Sequence, residues 1–312
     1  MIEKRTVLVL GAGASLPYGL PLGNELKNLI FALLNNVSER HKLADLLKMN
    51  EPDIRRFAKE LSESGLDSID AWLERRSEFT ELGKTCVAHI IINSEKPGYL
   101  MNSEMHRKDP FKADWCRIVW QKMVDGTRSV AELRNNRIIF VTFNYDRALE
   151  AYMMMAAKNT FGQDEKACAE AIRGITIIHA YGQAGFLEWQ SNPNKMQIIP
   201  YGSTTDWKGA QTCANAIKIV GEDRSNGDEL IQASEAIRRA KKVYFLGFGY
   251  HKENMKRLRP ENFDNKPIVK GTYLHEYMAP ESITSEELNG LGYSIELHNT
   301  NMKTFVQEIA GI

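Results

Sequence analysis

Thr6-Val7-Leu8-Val9-Leu10 runs directly into Gly11-Ala12-Gly13-Ala14-Ser15, and Pro17-Tyr18-Gly19-Leu20-Pro21 follows. The first five residues are apolar and rich in β-branching, the pattern of a strand buried on both faces of a parallel sheet. The glycines allow a tight turn and a close approach of backbone N–H groups to an anion. This strand and turn therefore point to a bound phosphate. A second buried run lies far downstream and ends in polar residues, Phe140-Val141-Thr142-Phe143-Asn144-Tyr145-Asp146. Polar residues at the carboxyl end of such a strand stand where α/β proteins hold ligands.

Working outward, further strand patterns occur at Arg137–Thr142, Gly174–Ile178, Met196–Pro200, Lys242–Leu246, Ile268–Leu274 and Tyr293–Leu297. Helical patterns at Arg147–Lys158, Asp164–Ala171, Trp207–Val220, Asp228–Ala240 and Ser285–Leu291 separate most of them. Alternation of this kind predicts an α/β fold with a doubly wound, mostly parallel, Rossmann-like sheet. Gly23–Val37 continues the first strand as an amphipathic helix, with Leu26, Leu29, Ile30, Leu33 and Leu34 on one face. From there to about Asn135 the patterns are helical, at Lys42–Lys48, Asp53–Leu61, Ser68–Leu82 and Ala113–Met123, with only the short His89–Ile92 run suggesting a strand. The expected layout is a core of residues 1–37 and 136–312, with a large helical insertion or lid, 38–135, after the first βα unit.

Composition narrows the function. The chain has 312 residues, enough for a large core, and a formal net charge of +0, so no global basic field draws nucleic acid. No apolar run reaches the roughly 18 residues that cross a bilayer. Cys86, Cys116, Cys168 and Cys213 are far apart with no C-x-x-C pair, which argues against a zinc site and a disulfide framework. The expectation is a cytoplasmic protein with no metal and no membrane or nucleic-acid partner. A dehydrogenase fingerprint is half met: Leu16 replaces the third glycine, and no acidic residue ends a second strand near positions 31–37.

With Thr142-x-Asn144-x-Asp146 in view, the chain resembles the sirtuin-like family, and more closely the bacterial sirtuin-like NAD hydrolases of antiphage defence. Four stretches carry the resemblance. Gly11 to Ser15, with Gly19-Leu20-Pro21, resembles the family's phosphate loop and the start of its cofactor loop. Ser68-Ile69-Asp70-Ala71-Trp72-Leu73 resembles a helical signature of its insertion. Phe140 to Asp146 resembles its T-x-N-x-D motif. Phe245-Leu246-Gly247-Phe248-Gly249-Tyr250 resembles the later glycine loop that holds adenosine. The resemblance implies cleavage of NAD between nicotinamide and ribose, with water capturing the sugar as ADP-ribose. It places Gly11, Ala12, Gly13, Ser15, Pro21, Thr142, Asp146, Gly247, Phe248 and Gly249 against the cofactor, and Asn144 on the water or a ribose hydroxyl. His298, after the last predicted strand, is an adenine contact or a plain turn residue. Asp146 reads equally as an N-cap of the next helix and as a ligand contact.

Two departures bear on catalysis. The family's histidine sits in a His-Gly pair after a strand, whereas this chain has His179-Ala180-Tyr181-Gly182. Matching on the glycine places Tyr181 there. In an extended segment His179 would face the same way, about 6.5–7 Å away. An imidazole is the better base at neutral pH, so His179 takes that role and Tyr181 a hydrogen-bonding or stacking one. The second departure is the lack of the four zinc-binding cysteines of the deacylating sirtuins, which leaves hydrolysis favoured over deacylation or ADP-ribosyl transfer. The competing expectation is a non-catalytic NAD or ADP-ribose sensor that controls a partner protein. Self-association as a homo-oligomer is expected as a means of restraining a hydrolase of a vital cofactor.

Overall fold

A computed structural model describes residues 1–66, 68–101, 114–192, 195–219, 227–273, 292 and 294–311. Its centre is one six-stranded, all-parallel sheet: β1 (Thr6–Leu10), β2 (Ile138–Thr142), β3 (Thr176–His179), β4 (Lys242–Leu246), β5 (Ile268–Tyr273) and β6 (Glu296–Asn299). The spatial order β3-β2-β1-β4-β5-β6 is that of a dinucleotide-binding doubly wound fold. All five residues of β1 are buried, as its unbroken apolar run requires. It lies between β2 and β4, with Leu10 level with Thr142 on one side and Leu246 on the other. Thr142 is in turn level with His179. The Gly11 turn, the 143–146 segment and the Gly247 turn therefore leave the sheet at one carboxyl edge, where the strand order reverses.

Helices cover both faces. After α1 (Gly23–Asn35), the described residues up to β2 hold α2 (Val37–Leu47), α3 (Glu51–Glu63), α4 (Ile69–Leu73), α5 (Thr80–Ser94), α6 (Pro97–Met101) and α7 (Trp115–Val124), and no strand. An aromatic cluster of Phe57, Trp72 and Phe79, with centroids 5.4–5.6 Å apart, ties α3 to α4 and to the turn before α5. His89 of α5 stacks on Trp207, 4.1 Å between centroids, and joins these helices to the chain after β3. Trp207 opens α10 (Trp207–Ala214), and α8 (Ala148–Phe161) and α9 (Glu165–Arg173) lie between β2 and β3. α11 (Asp228–Arg238) precedes β4, and α12 (Lys252–Leu258) follows it.

Four local expectations are corrected. His89–Ile92 is helical, inside α5. Ser68–Leu82 is three pieces, α4, a 3-10 turn at Ser77–Phe79 and the start of α5, because the chain turns to bring Phe79 onto Trp72. Met196–Pro200 joins no sheet: Phe186 pairs with this segment in a single bridge, and the Ile199 carbonyl is taken by a buried arginine described below. The last strand is Glu296–Asn299 rather than Tyr293–Leu297, so His298 lies within it, level with Thr272. The Ser285–Leu291 helix falls outside the described residues.

Three glycines set the distance between the Gly11 turn and the Gly247 turn. Gly11 and Gly13 donate their N–H groups to the carbonyls of Leu246 and Gly247, at 3.1 and 3.0 Å. A Cβ on Gly11 would meet the Gly247 oxygen at 2.4 Å, and one on Gly247 would meet the Ala14 nitrogen at 2.3 Å. Gly247 also has φ +54, which an L side chain seldom adopts. Gly247→Ala is expected to destabilise the protein by about 1–3 kcal/mol, through strain and overpacking together. Urea unfolding measures it, and a midpoint equal to that of the parent protein would show that the turns separate without cost.

Candidate functional site

The ends of β1, β2 and β3 contribute polar groups to a common cluster. The side-chain amide of Asn144 donates to the Gly11 carbonyl and to Ser15 Oγ, both at 2.8 Å. Its own N–H donates to Thr142 Oγ1 at 3.1 Å. The segment after β2 is thus fastened to the turn after β1. His179, last residue of β3, turns its ring back onto this segment, with Nδ1 3.1 Å from the Asn144 carbonyl. Its Nε2 lies 2.6 Å from Oε1 of Glu150, in the first turn of α8. Asp146 Oδ1 accepts the Ala148 N–H at 3.0 Å at the start of α8, but the N-cap position is Arg147, one residue after the expected one, and its side chain makes no capping bond. The same side chain lines the cavity described next.

That cavity is enclosed by Ser15, Tyr18, Thr142, Asn144, Asp146, Glu150 and His179 on its polar side, and by Leu10, Ala14, Trp115, Cys116, Ala148 and Leu149 elsewhere. Its volume is about 10 Å³, room for about one water and far below the roughly 300–1,000 Å³ of pockets that bury drug-sized ligands. A dinucleotide reaches these groups only if the surrounding loops part. Trp115 closes one wall, its indole N–H donating to the Ala14 carbonyl at 2.8 Å.

Burial governs the charges. Asp146 is raised above the usual carboxylate range by desolvation, against the opposing Ser15 hydroxyl and Ala148 amide. For His179, burial disfavours the imidazolium, but the Glu150 carboxylate and the Asn144 carbonyl outweigh it and raise the pKa above the ordinary value. Tyr181 is pushed up to about 12 by burial, against Arg257, and is no base at neutral pH.

The structure brings together Gly11, Ser15, Thr142, Asn144, Asp146 and His179, and lays Gly13 against Gly247. It separates Tyr181 from His179. β3 ends at His179 and the chain then turns, Gly182 N–H to the His179 carbonyl at 3.1 Å, so strand alternation stops before Tyr181. The Tyr181 ring packs edge-on to Phe143, and its hydroxyl donates to Asn254 of α12 at 2.7 Å. Phe248 also packs edge-on to Phe143, 5.0 Å between centroids, and Gly249 is exposed. Ala12 and Pro21 are half-buried in and after the first turn. His298 sits on edge strand β6, with β4 and β5 between it and the Gly11 turn. Among the described residues, no group of three or more His, Cys, Asp and Glu is placed to hold a metal. No described helix is long and apolar enough to cross a membrane.

Three side chains were missed from sequence. Glu150 is one, although a lone acid in the otherwise apolar Ala148–Ala157 run was a usable signal. Arg147 and Glu95 are the others. Both are fully buried, with Arg147 Nε 3.0 Å from Glu95 Oε1 and a second contact between Nη2 and Oε2. Arg147 Nη1 also donates to the Ile199 carbonyl at 2.6 Å. Nothing in the sequence pairs two residues 52 positions apart. A third tether is the Tyr145 hydroxyl on the Asp70 carboxylate of α4.

The sheet and the cluster at its carboxyl edge define a doubly wound α/β protein with a polar, buried site at the strand-order reversal. No family model matches the sequence, and no curated protein does. Among solved structures, the chain is similar to a Sir2 protein in complex with an inhibitor, 2′-O-acetyl-ADP-ribose and a deacetylated p53 peptide. That match has 13% identity over 97% of this chain and 91% of the other, with a TM-score of 0.36. A Sir2 homologue variant in complex with ADP-ribose is similar at 13% identity, covering 98% and 92%, with a TM-score of 0.34.

Glu95→Gln leaves Arg147 buried without its counter-charge beside the 143–146 segment, and is expected to cost about 3–5 kcal/mol. Chemical unfolding of the variant tests this; a loss below about 1 kcal/mol, the range of surface pairs, would mean that water reaches the guanidinium.

Proposed function

We propose that this protein is a sirtuin-like NAD glycohydrolase, cleaving the nicotinamide–ribose bond to release nicotinamide and ADP-ribose, and that it serves antiphage defence. One observation carries the chemistry. The T-x-N-x-D segment is fastened by Asn144 to the glycine turn after β1, and a buried histidine from the adjoining strand faces the same cavity. The resemblance of these motifs to the bacterial NAD hydrolases supports the choice of substrate and the biological setting. Its zinc-free cysteine spacing supports hydrolysis over deacylation.

In this reading the diphosphate lies over the glycine turns and the nicotinamide ribose enters the polar cavity. Asn144 keeps a side-chain oxygen for a ribose hydroxyl or for water while its amide is spent on Gly11 and Ser15. Asp146 holds the start of α8 and presents its other oxygen to the ribose. Cleavage builds positive charge on the sugar, and fixed dipoles and anionic groups in a dry cavity lower that barrier. The structure also favours a second reading, a non-catalytic sensor of NAD or ADP-ribose, because both ring nitrogens of His179 are engaged within the protein.

Incubation of the pure protein with NAD, followed by chromatography for nicotinamide and ADP-ribose, separates the two. Turnover is expected, and Asn144→Ala is expected to lose it by roughly 10²–10³-fold, the effect of removing one preorganised polar group. ADP-ribose binding without any release of nicotinamide by the parent protein would leave the sensor. Near-parental turnover by a folded Asn144→Ala protein would remove Asn144 from the site.

A further inference from the structure

The hydrogen bonds of His179 define its protonation. The Asn144 carbonyl can only accept, so Nδ1 carries a hydrogen and donates it at 3.1 Å. A second bare lone pair at Nε2, 2.6 Å from a carboxylate oxygen, would set two acceptors against each other. A proton therefore lies between Nε2 and Glu150 Oε1. With both nitrogens engaged, His179 has no lone pair to offer a substrate.

Glu150 is in the opposite situation. Its side chain is nine-tenths or more buried, Oε1 is taken by His179, and Oε2 is buried with no hydrogen-bond partner. An unpaired carboxylate oxygen out of water costs several kcal/mol. Glu150 lines the same cavity as Asn144, Asp146 and Ser15. Its other neighbour is Gln190, whose amide reaches Oε1 at 3.4 Å. The charged and titratable groups that face the pair are Asp146 ahead of α8, Cys116 on α7 and Tyr201 beyond β3.

We propose that the Glu150 carboxylate, through Oε2, is the catalytic proton acceptor of this site, and that His179 is the positioning residue that holds Oε1. The proposal rests on the glycohydrolase reading. As the bond from ribose C1′ to the nicotinamide nitrogen breaks, its electron pair leaves with nicotinamide. The water oxygen forms the new bond to C1′, and the proton it sheds passes to Oε2 and then to solvent. Water adding to an oxocarbenium-like carbon becomes strongly acidic, so a weak base suffices, as carboxylates do in glycoside hydrolysis. A carboxylate also offsets the charge that develops on the sugar.

The test combines NAD turnover with ¹⁵N NMR of the His179 ring, in the full chain and in the near-isosteric Glu150→Gln. Turnover is expected to fall 10²-fold or more in the variant, within the usual range for a general base. Thermal unfolding and ADP-ribose titration establish that the variant is folded and still binds. In the parent protein at neutral pH both ring nitrogens are expected to show attached or shared protons, and in Glu150→Gln the midpoint of His179 is expected to drop by a pH unit or more. A parent protein that turns over no NAD overturns the glycohydrolase reading and the acceptor role with it. An active parent with a Glu150→Gln variant active to within threefold overturns the acceptor role alone. Should the variant not fold, the parent spectrum decides by itself: a bare Nε2 on His179 at neutral pH returns the base to the histidine.

Discussion

The side-chain amide of Asn144 joins two parts of the chain more than 125 residues apart, and the carboxyl edge of the sheet around β1 and β2 is organised around it. One nitrogen serves both the Gly11 carbonyl and the Ser15 hydroxyl, so the turn after β1 and the segment after β2 share a position. The backbone carbonyl of the same residue orients His179. These bonds lie almost out of water, where an unmade partner is expensive. The arrangement is therefore over-determined, and a substituted amide leaves several groups unpaired at once.

Around this point the protein concentrates its buried polar chemistry. Asp146, Glu150, His179 and the Arg147–Glu95 pair all lie within or beside eight consecutive residues of the loop and first turn of α8. Three elements hold that segment from different sides: α4 through Asp70 and Tyr145, the C-cap of α5 through Glu95, and the 186–199 loop through its carbonyls. Helices of the long stretch between β1 and β2 thus reach the site through side chains on a few specific residues.

Much of the fold was legible because its signals are local. β1, β2 and β4 are apolar runs bounded by turns, and the structure places them within a residue of their expected limits. The Gly11 and Gly247 turns and the polar trio Thr142, Asn144 and Asp146 were recognisable from residue type and position at strand ends. Met196–Pro200 misled because a short apolar run looks the same whether it pairs with a sheet or is captured by an arginine. Tyr181 misled because period-two alternation ends with the strand, and the strand ends at His179.

The sequence by itself determined the doubly wound class, the edge at which a ligand would bind and the residue types gathered there. Those follow from hydrophobic periodicity and backbone freedom, which act over a few residues. The tertiary structure alone decided which nitrogen of His179 meets which oxygen, that Glu150 keeps one oxygen unpaired, and that Arg147 is neutralised by Glu95. Each of these is a contact between segments 29 to 52 residues apart, or its absence. Periodicity carries no record of such distances; they are set when helices and strands pack and water is expelled from between them.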